Sequence, residues 1–299
     1  MRILYWDRKV SGLMNKIPVL INLCDEISYG AADASSVRRI AENLNTYAPV
    51  PMEIRGVRIG AETCGFLFAG MQLSRFREVI ETVRKEPWGE NAEIHLVIPV
   101  AEQSAWGKVK ELIRAVMREP WIDSVTVNDL GALKAVSDLK AEYGAEKIGI
   151  VLGRYLDKRA RDPRNEDRAD SAEGSALCTP GWLRIMDKYG VAGTETECLD
   201  QRIAVIPDPK SKSYVHLPYA LLSTGQICEY SGINMPEKGH FRIGRCSRQC
   251  CGMKGYAFHK DLKKPLIKSK NALYIKNRVG AELIEQIRSE GSTIIYTDL

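Results

Sequence analysis

The residue order predicts an α/β protein built as a closed or partly closed (β/α) barrel of the TIM type. Short β-branched runs alternate with amphipathic stretches along most of the 299 residues, and such alternation makes βα units around a mainly parallel sheet. About eight strand-like runs suit a barrel better than an open doubly wound sheet. No GxGxxG turn follows the first of them, which weakens a dinucleotide-binding reading.

In chain order the strand-like runs are 54–60, 93–100, 124–128, 147–152, 203–206, 214–217, 272–275 and 293–296. Between them lie apolar stripes at helical spacing. These are Phe76, Val79, Ile80 and Val83; then Trp106, Val109, Leu112, Ile113, Val116 and Met117; then Trp182, Ile185, Met186 and Tyr189. Such stripes are core positions and carry no chemistry. Residues 1–50, with an apolar run from Ile17 to Leu23 and a stripe at Val37, Ile40, Ala41 and Leu44, read as an N-terminal extension or edge element. Residues 51–235 read as the barrel, and 236–299 as a cysteine-bearing loop with the last barrel elements. A charged insertion at 153–176, with six basic and six acidic residues, follows a strand and so falls at the rim where barrel enzymes work, as a lid loop.

Composition narrows the class. Hydrophobic residues make up 44% and charged residues 27%, as in ordinary soluble globular proteins. No apolar run reaches membrane-spanning length, so no membrane insertion is expected, and the N-terminus lacks a signal-like apolar stretch. The expected location is the cytoplasm. There thiols stay reduced, so eight cysteines need an explanation other than disulfides. Cys24 and Cys198 read as ordinary buried residues. The net charge of +5 is concentrated: residues 236–278 hold 12 Lys/Arg against two acids, Glu237 and Asp261. Such a patch suits nucleic acid, an anionic small molecule or an acidic partner, or is a plain solvated surface.

Cys228, Cys246 and Cys250 crowd into a glycine-punctuated stretch, with Cys251 beside the last, and Cys64 stands far upstream after the run 54–60. In a βα barrel, residues just past strand ends face one rim, so thiols distant in sequence can converge there. Cys228 follows the run 214–217 by one short helical turn on this reading. Zinc normally takes two CxxC knuckles, and none exists here. Iron–sulfur clusters accept more scattered thiolates, so a 4Fe–4S cluster is the first expectation and zinc the alternative. The expected ligands are Cys64, Cys228, Cys246 and Cys250, with Cys251 competing for the last place.

The stretch Val215-His216 through Ser223-Thr224-Gly225-Gln226-Ile227-Cys228 resembles the VHG…SGRC signature of the collagenase-like peptidases, family U-32. Val127-Asn128-Asp129, Val151-Leu152-Gly153 and Asn271-Ala272-Leu273-Tyr274 agree with it. Within that superfamily, Glu62-Thr63-Cys64, the lone Cys228 and the run Arg245-Cys246-Ser247-Arg248-Gln249-Cys250-Cys251 are similar to the oxygen-independent hydroxylase subunits of ubiquinone biosynthesis. The resemblance implies that the four cysteines hold a 4Fe–4S cluster. It also implies an organic hydroxyl donor such as prephenate in place of dioxygen, and a homologous partner subunit or homo-oligomer. The peptidase signature carries a further cysteine for which 219–222 offers no counterpart, and the insertion 153–176 is foreign to the hydroxylase subunits.

Other residues carry weaker signals. Asn128 and Asp129 end a strand at the functional rim and are candidates for substrate binding, or cap the following helix. Arg159 and Arg161 could clamp an anionic small-molecule substrate, although neighbouring acids make a self-paired loop the plainer account. His216 is a candidate substrate ligand or a hydrogen-bonded structural histidine. No serine triad or HExxH is present. The expected function is therefore a 4Fe–4S protein supporting an oxygen-independent hydroxylation or related redox modification of a small molecule or RNA. The alternatives are a collagenase-like peptidase, for which no nucleophile is apparent, and an RNA-binding or RNA-modification subunit using the basic segment.

Overall fold

The computed structural model describes residues 16–24, 33–47, 50–157, 175–198, 211–225, 228, 246, 248–250, 253–258, 260, 262, 264–277 and 279–299. Eight parallel strands close a barrel. In ring order they are β1 (Ile17–Asn22), β2 (Met52–Gly60), β3 (Glu93–Ile98), β4 (Ser124–Val127), β5 (Gly149–Leu152), β6 (Val191–Glu197), β7 (Lys212–Leu217) and β12 (Thr293–Tyr296), which returns to β1. The expected barrel is thus a closed one.

Each strand presents alternate residues to two layers. Outward-facing Val57 and Ile59, Ile94 and Leu96, and Val125 and Val127 meet the apolar stripes of the surrounding helices in one continuous core. Those helices are α1 (Ala34–Tyr47), α3 (Leu73–Arg84), α4 (Gln103–Val116), α5 (Leu130–Tyr143), α6 (Pro180–Lys188) and α7 (Ala281–Ser289), with a short α2 (Gly65–Ala69) behind β2. Inside the barrel, Leu20, Val151, Tyr214 and Ile295 form a separate small cluster. Each comes from a different strand, the layered filling that closes such barrels.

Several expectations change. The run at 17–22 is neither an extension nor an edge: β1 sits between β2 and β12, and burial on both faces explains its continuous apolar character. The segment after β7 is strand β8 (Tyr219–Thr224), not a helical turn. The run at 272–275 does form a strand, β11 (Ala272–Lys276), but outside the barrel. It joins β8, β10 (Leu266–Ser269) and β9 (Lys254–Ala257) in an antiparallel sheet ordered β8-β11-β10-β9. The run at 203–206 lies outside the described residues, while β6, unexpected from sequence, is a barrel strand.

The second sheet rests on the C-terminal rim. Tyr219, Leu221, Ile267, Ala272 and Tyr274 pack with Tyr155, which follows β5, and against Val100 and Leu299, which follow β3 and β12. The start of the charged insertion is also part of this rim: Arg154, Tyr155, Leu156 and Asp157 are all buried. Asp157 accepts a hydrogen bond from Ser175 Oγ at 2.5 Å and one from Thr196 Oγ1 at 3.2 Å, so both ends of the insertion meet on β6.

Candidate functional site

The upper half of the barrel interior is charged. Arg58 of β2 is fully buried, and its guanidinium forks between Glu62 Oε1 at 3.2 Å and Glu195 Oε1 of β6 at 2.6 Å. Arg154, also buried, gives Nη2 to Glu62 Oε2 at 2.6 Å and Nη1 to Glu197 Oε1 at 3.1 Å. Glu62 therefore bridges two arginines. Thr126 of β4 donates to Glu195 Oε1 at 3.0 Å, and Asn22 of β1 spans Glu62 and Thr297. His216 of β7 completes the set, its Nε2 lying 2.9 Å from Glu195 Oε2.

The backbone makes room for this arrangement at two glycines. Gly60 ends β2 with φ +117, and a Cβ there would lie 2.3 Å from the Val97 carbonyl oxygen. Only glycine turns the chain at that point toward Glu62 and Cys64. At Gly153 a Cβ would come within 2.2 Å of Asn128 Oδ1, so the absent side chain leaves space for Asn128.

Electrostatics fix most of the protons. Burial would raise Glu62, but the charges of Arg154 and Arg58 outweigh it and hold the carboxyl well below its ordinary range. For Glu195 burial is likewise outweighed, by the charge of Arg58 and the hydrogen bond from His216, and the value falls to about 2. Both arginines are held cationic by their carboxylates against the cost of burial. His216 moves down: burial and the charge of Arg154 outweigh the hydrogen bond to Glu195. Above the network, the ring of Tyr274 from the second sheet lies 5.6 Å from the Arg154 guanidinium carbon, within cation–π range.

Glu62, Glu195 and His216 bring three donor atoms within 4.8 Å of one another, the one such group of histidine, cysteine and acidic residues among the described residues. An imidazole and two carboxylates suit a divalent ion by type. Here, however, guanidiniums already occupy both carboxylates, Arg58 on Glu62 and Glu195 and Arg154 on Glu62.

Of the expected cysteine ligands, Cys64 lies just past β2 on this rim. Cys64 stands at the N-cap of α2, partly exposed, and Cys228, Cys246 and Cys250 are partly exposed as well; Cys251 lies outside the described residues. Two hydrogen-bonded ties connect the three cysteine-bearing segments. Asn271 Nδ2 donates to Thr63 O at 2.8 Å and to Gly225 O at 2.7 Å, linking the residue before Cys64 to the residue after β8, three residues before Cys228. Arg248, between Cys246 and Cys250, donates to Gly70 O at the end of α2 at 2.9 Å. Cys24 and Cys198 are buried. The 4.8 Å grouping speaks to donors around a single ion; thiolates at the corners of a 4Fe–4S cube stand farther apart.

The remaining candidates divide. Asn128 is buried and donates to Ile98 O at 2.9 Å while accepting from Tyr155 N at 3.4 Å, so it buttresses the rim. Asp129 caps α5, accepting from Ala132 N at 2.7 Å. Arg159 and Arg161 lie outside the described residues. Within the basic segment, Tyr256 and Phe258 stand exposed near Lys254, Lys260 and Lys264. Sequence reasoning missed Arg58, Glu62 as a charged anchor, Arg154, Glu195 and Glu197. The alternation Thr194-Glu195-Thr196-Glu197 was the available signal, since period-two acids on a barrel strand must face inward or outward together.

Among the described residues no helix is long and apolar enough to cross a membrane. No family model matches the chain, and no curated protein does. Among solved structures, the chain is similar to a type I 3-dehydroquinate dehydratase from Clostridium difficile, with 8% identity, a TM-score of 0.34 and 68% of this chain covered. The match spans 64% of that enzyme, less than two thirds of its length.

Proposed function

We propose that this chain is an iron–sulfur protein of the collagenase-like peptidase superfamily, and that Cys64, Cys228, Cys246 and Cys250 hold a 4Fe–4S cluster on the barrel rim. In this reading it supports an oxygen-independent hydroxylation or related redox modification of a small molecule or RNA. The carrying observation is the pair of ties from Asn271 and Arg248, which link the segments bearing Cys228 and Cys246–Cys250 to Thr63 and Gly70, on either side of Cys64. Backbone ties of this kind are what four thiols far apart in sequence require before they can share one inorganic group. The cluster, when bound, supplies one-electron chemistry. The chain's own residues hold the thiolates at the rim and keep a buried acid–base network beneath it.

Anaerobic purification with iron and sulfide counted per chain tests the reading. About four of each, lost in Cys64→Ser, is the expected result. Near-stoichiometric zinc, or iron unchanged by that substitution, overturns it. A second reading, RNA binding, is favoured by exposed Tyr256 and Phe258 beside lysines, since aromatic faces among cations stack unpaired bases. RNA retention that ignores added salt removes it, because phosphate contacts weaken steeply as salt rises.

A further inference from the structure

His216 has one nitrogen engaged and one not. Nε2 lies 2.9 Å from Glu195 Oε2, a carboxylate that can only accept, so the proton sits on Nε2. Nδ1 is then a bare lone pair. It is fully buried, has no hydrogen-bond partner among the described residues, and lies 4.0 Å from Glu62 Oε1, itself an acceptor. Glu197 Oε2, also buried, lacks a partner too. A buried acceptor left unmatched carries its full desolvation penalty.

We propose that the barrel interior binds a group carrying two N–H or O–H donors, the chemistry shared by water and a primary amine, between His216 Nδ1 and Glu62 Oε1, and that His216 is the base that receives its proton. The spacing selects this class. A donor atom about 2.85 Å from both acceptors would subtend roughly 90°, near the angle between two hydrogens on one atom. A metal ion bound at about 2.1 Å would have to open to roughly 145°, wide of both tetrahedral and octahedral angles.

Charge agrees with the assignment. The groups facing the imidazole are Arg58 from β2, Glu62 after it, Arg154 after β5, and Glu195 and Glu197 from β6. Three carboxyl groups thus meet two guanidiniums, which favours a neutral or cationic donor over an anion. Burial and the charge of Arg154 lower the proton affinity of the imidazole, which favours the neutral ring with Nδ1 as an acceptor. In the transfer, the O–H or N–H bond breaks, its electron pair stays on the ligand, and the proton goes to Nδ1. The resulting imidazolium lies between Glu195 and Glu62. The inference rests on the barrel interior alone, so iron-free protein leaves it standing.

The test is imidazole NMR of the full-length chain with ¹⁵N-labelled histidine. His216 is assigned by subtraction in His95→Gln, His240→Gln and His259→Gln, as the resonance that persists in all three. The expected spectrum at pH 7 is a neutral ring protonated on Nε2, with Nδ1 shifted as a hydrogen-bond acceptor. Methylammonium is then titrated in. A saturable Nδ1 shift, abolished in Glu62→Gln because the amide itself can donate to Nδ1, assigns the site to an amine. An acceptor shift that ignores methylammonium assigns it to water. An imidazolium at pH 7, a ring protonated on Nδ1, or an Nδ1 resonance without a hydrogen bond overturns the proposal.

Discussion

The two faces of the same strands differ in kind. The outer face of β2 offers Val57 and Ile59 to the helices, while between them Arg58 points into the barrel toward two glutamates. The outer layer is held by non-directional burial, which tolerates volume-conserving exchange. The inner upper layer is held by directed, charge-assisted bonds among groups that all depend on one another. A buried ionic network of this type is seldom the most stabilising filling available, since apolar residues of equal volume often do as well or better. Its retention in the barrel mouth accords with a role in handling protons or ligands.

The contrast can be broken or sharpened by measurement. The largest effect is expected from Glu62→Ala, which takes one of two carboxylate partners from each of the buried Arg58 and Arg154; urea denaturation should show a loss of about 3–5 kcal/mol. A loss below about 1 kcal/mol would mean that the two layers are held alike.

Acid should act on the inner layer next. The carboxyls of Glu62 and Glu195 are depressed from an ordinary 4.5, so their contribution is present above that value and lost as pH falls through their folded values. Glu195 alone, lowered to about 2, carries on the order of 3 kcal/mol. His216 is depressed from 6.5, so its neutral form adds stability that is present above 6.5 and declines as pH drops below it. The urea midpoint should therefore fall in two stages, first below about 6.5 and then below about 4.5. A midpoint flat down to pH 3 would contradict the charge assignments.

Asn271→Ala removes two bonds to carbonyl oxygens and should cost about 1–3 kcal/mol, together with a lowered iron content in anaerobic preparations. Ile113→Val in the outer layer, losing one methylene, is expected to cost about 1 kcal/mol with iron unchanged. Lys134→Ala, at an exposed pair with Asp138 on α5, should leave the denaturation midpoint unmoved.

The outer layer was legible in the sequence because its signal is periodic. The stripes at 76–83 and 106–117 lie on α3 and α4 as expected, and seven of the eight expected strand runs fall on observed strands. β6 escaped because a strand reading Thr-Glu-Thr-Glu looks solvated, although in a parallel barrel both faces are covered and a charge on the inner face must find partners. Arg58 was hidden for the same reason, a lone charge inside an apolar run. The second sheet was invisible because β9 and β10 are four residues each and rich in lysine, too short and too polar for a pattern to show. The cysteines were conspicuous by type. Which backbone atoms Asn271 and Arg248 would fasten is a matter of tertiary geometry, beyond any local motif.

The knot that Asp157 ties with Ser175 and Thr196 has a consequence for how this chain can change over generations. Because the stretch 158–174 departs and rejoins at one spot, its length and content can be rewritten while the cylinder below keeps its staves in register. Lengthening such a bight costs little, since the entropy of closing it grows only with the logarithm of its length. Sequence can therefore be rewritten there by insertion and deletion, leaving the buried charged network under the second sheet untouched.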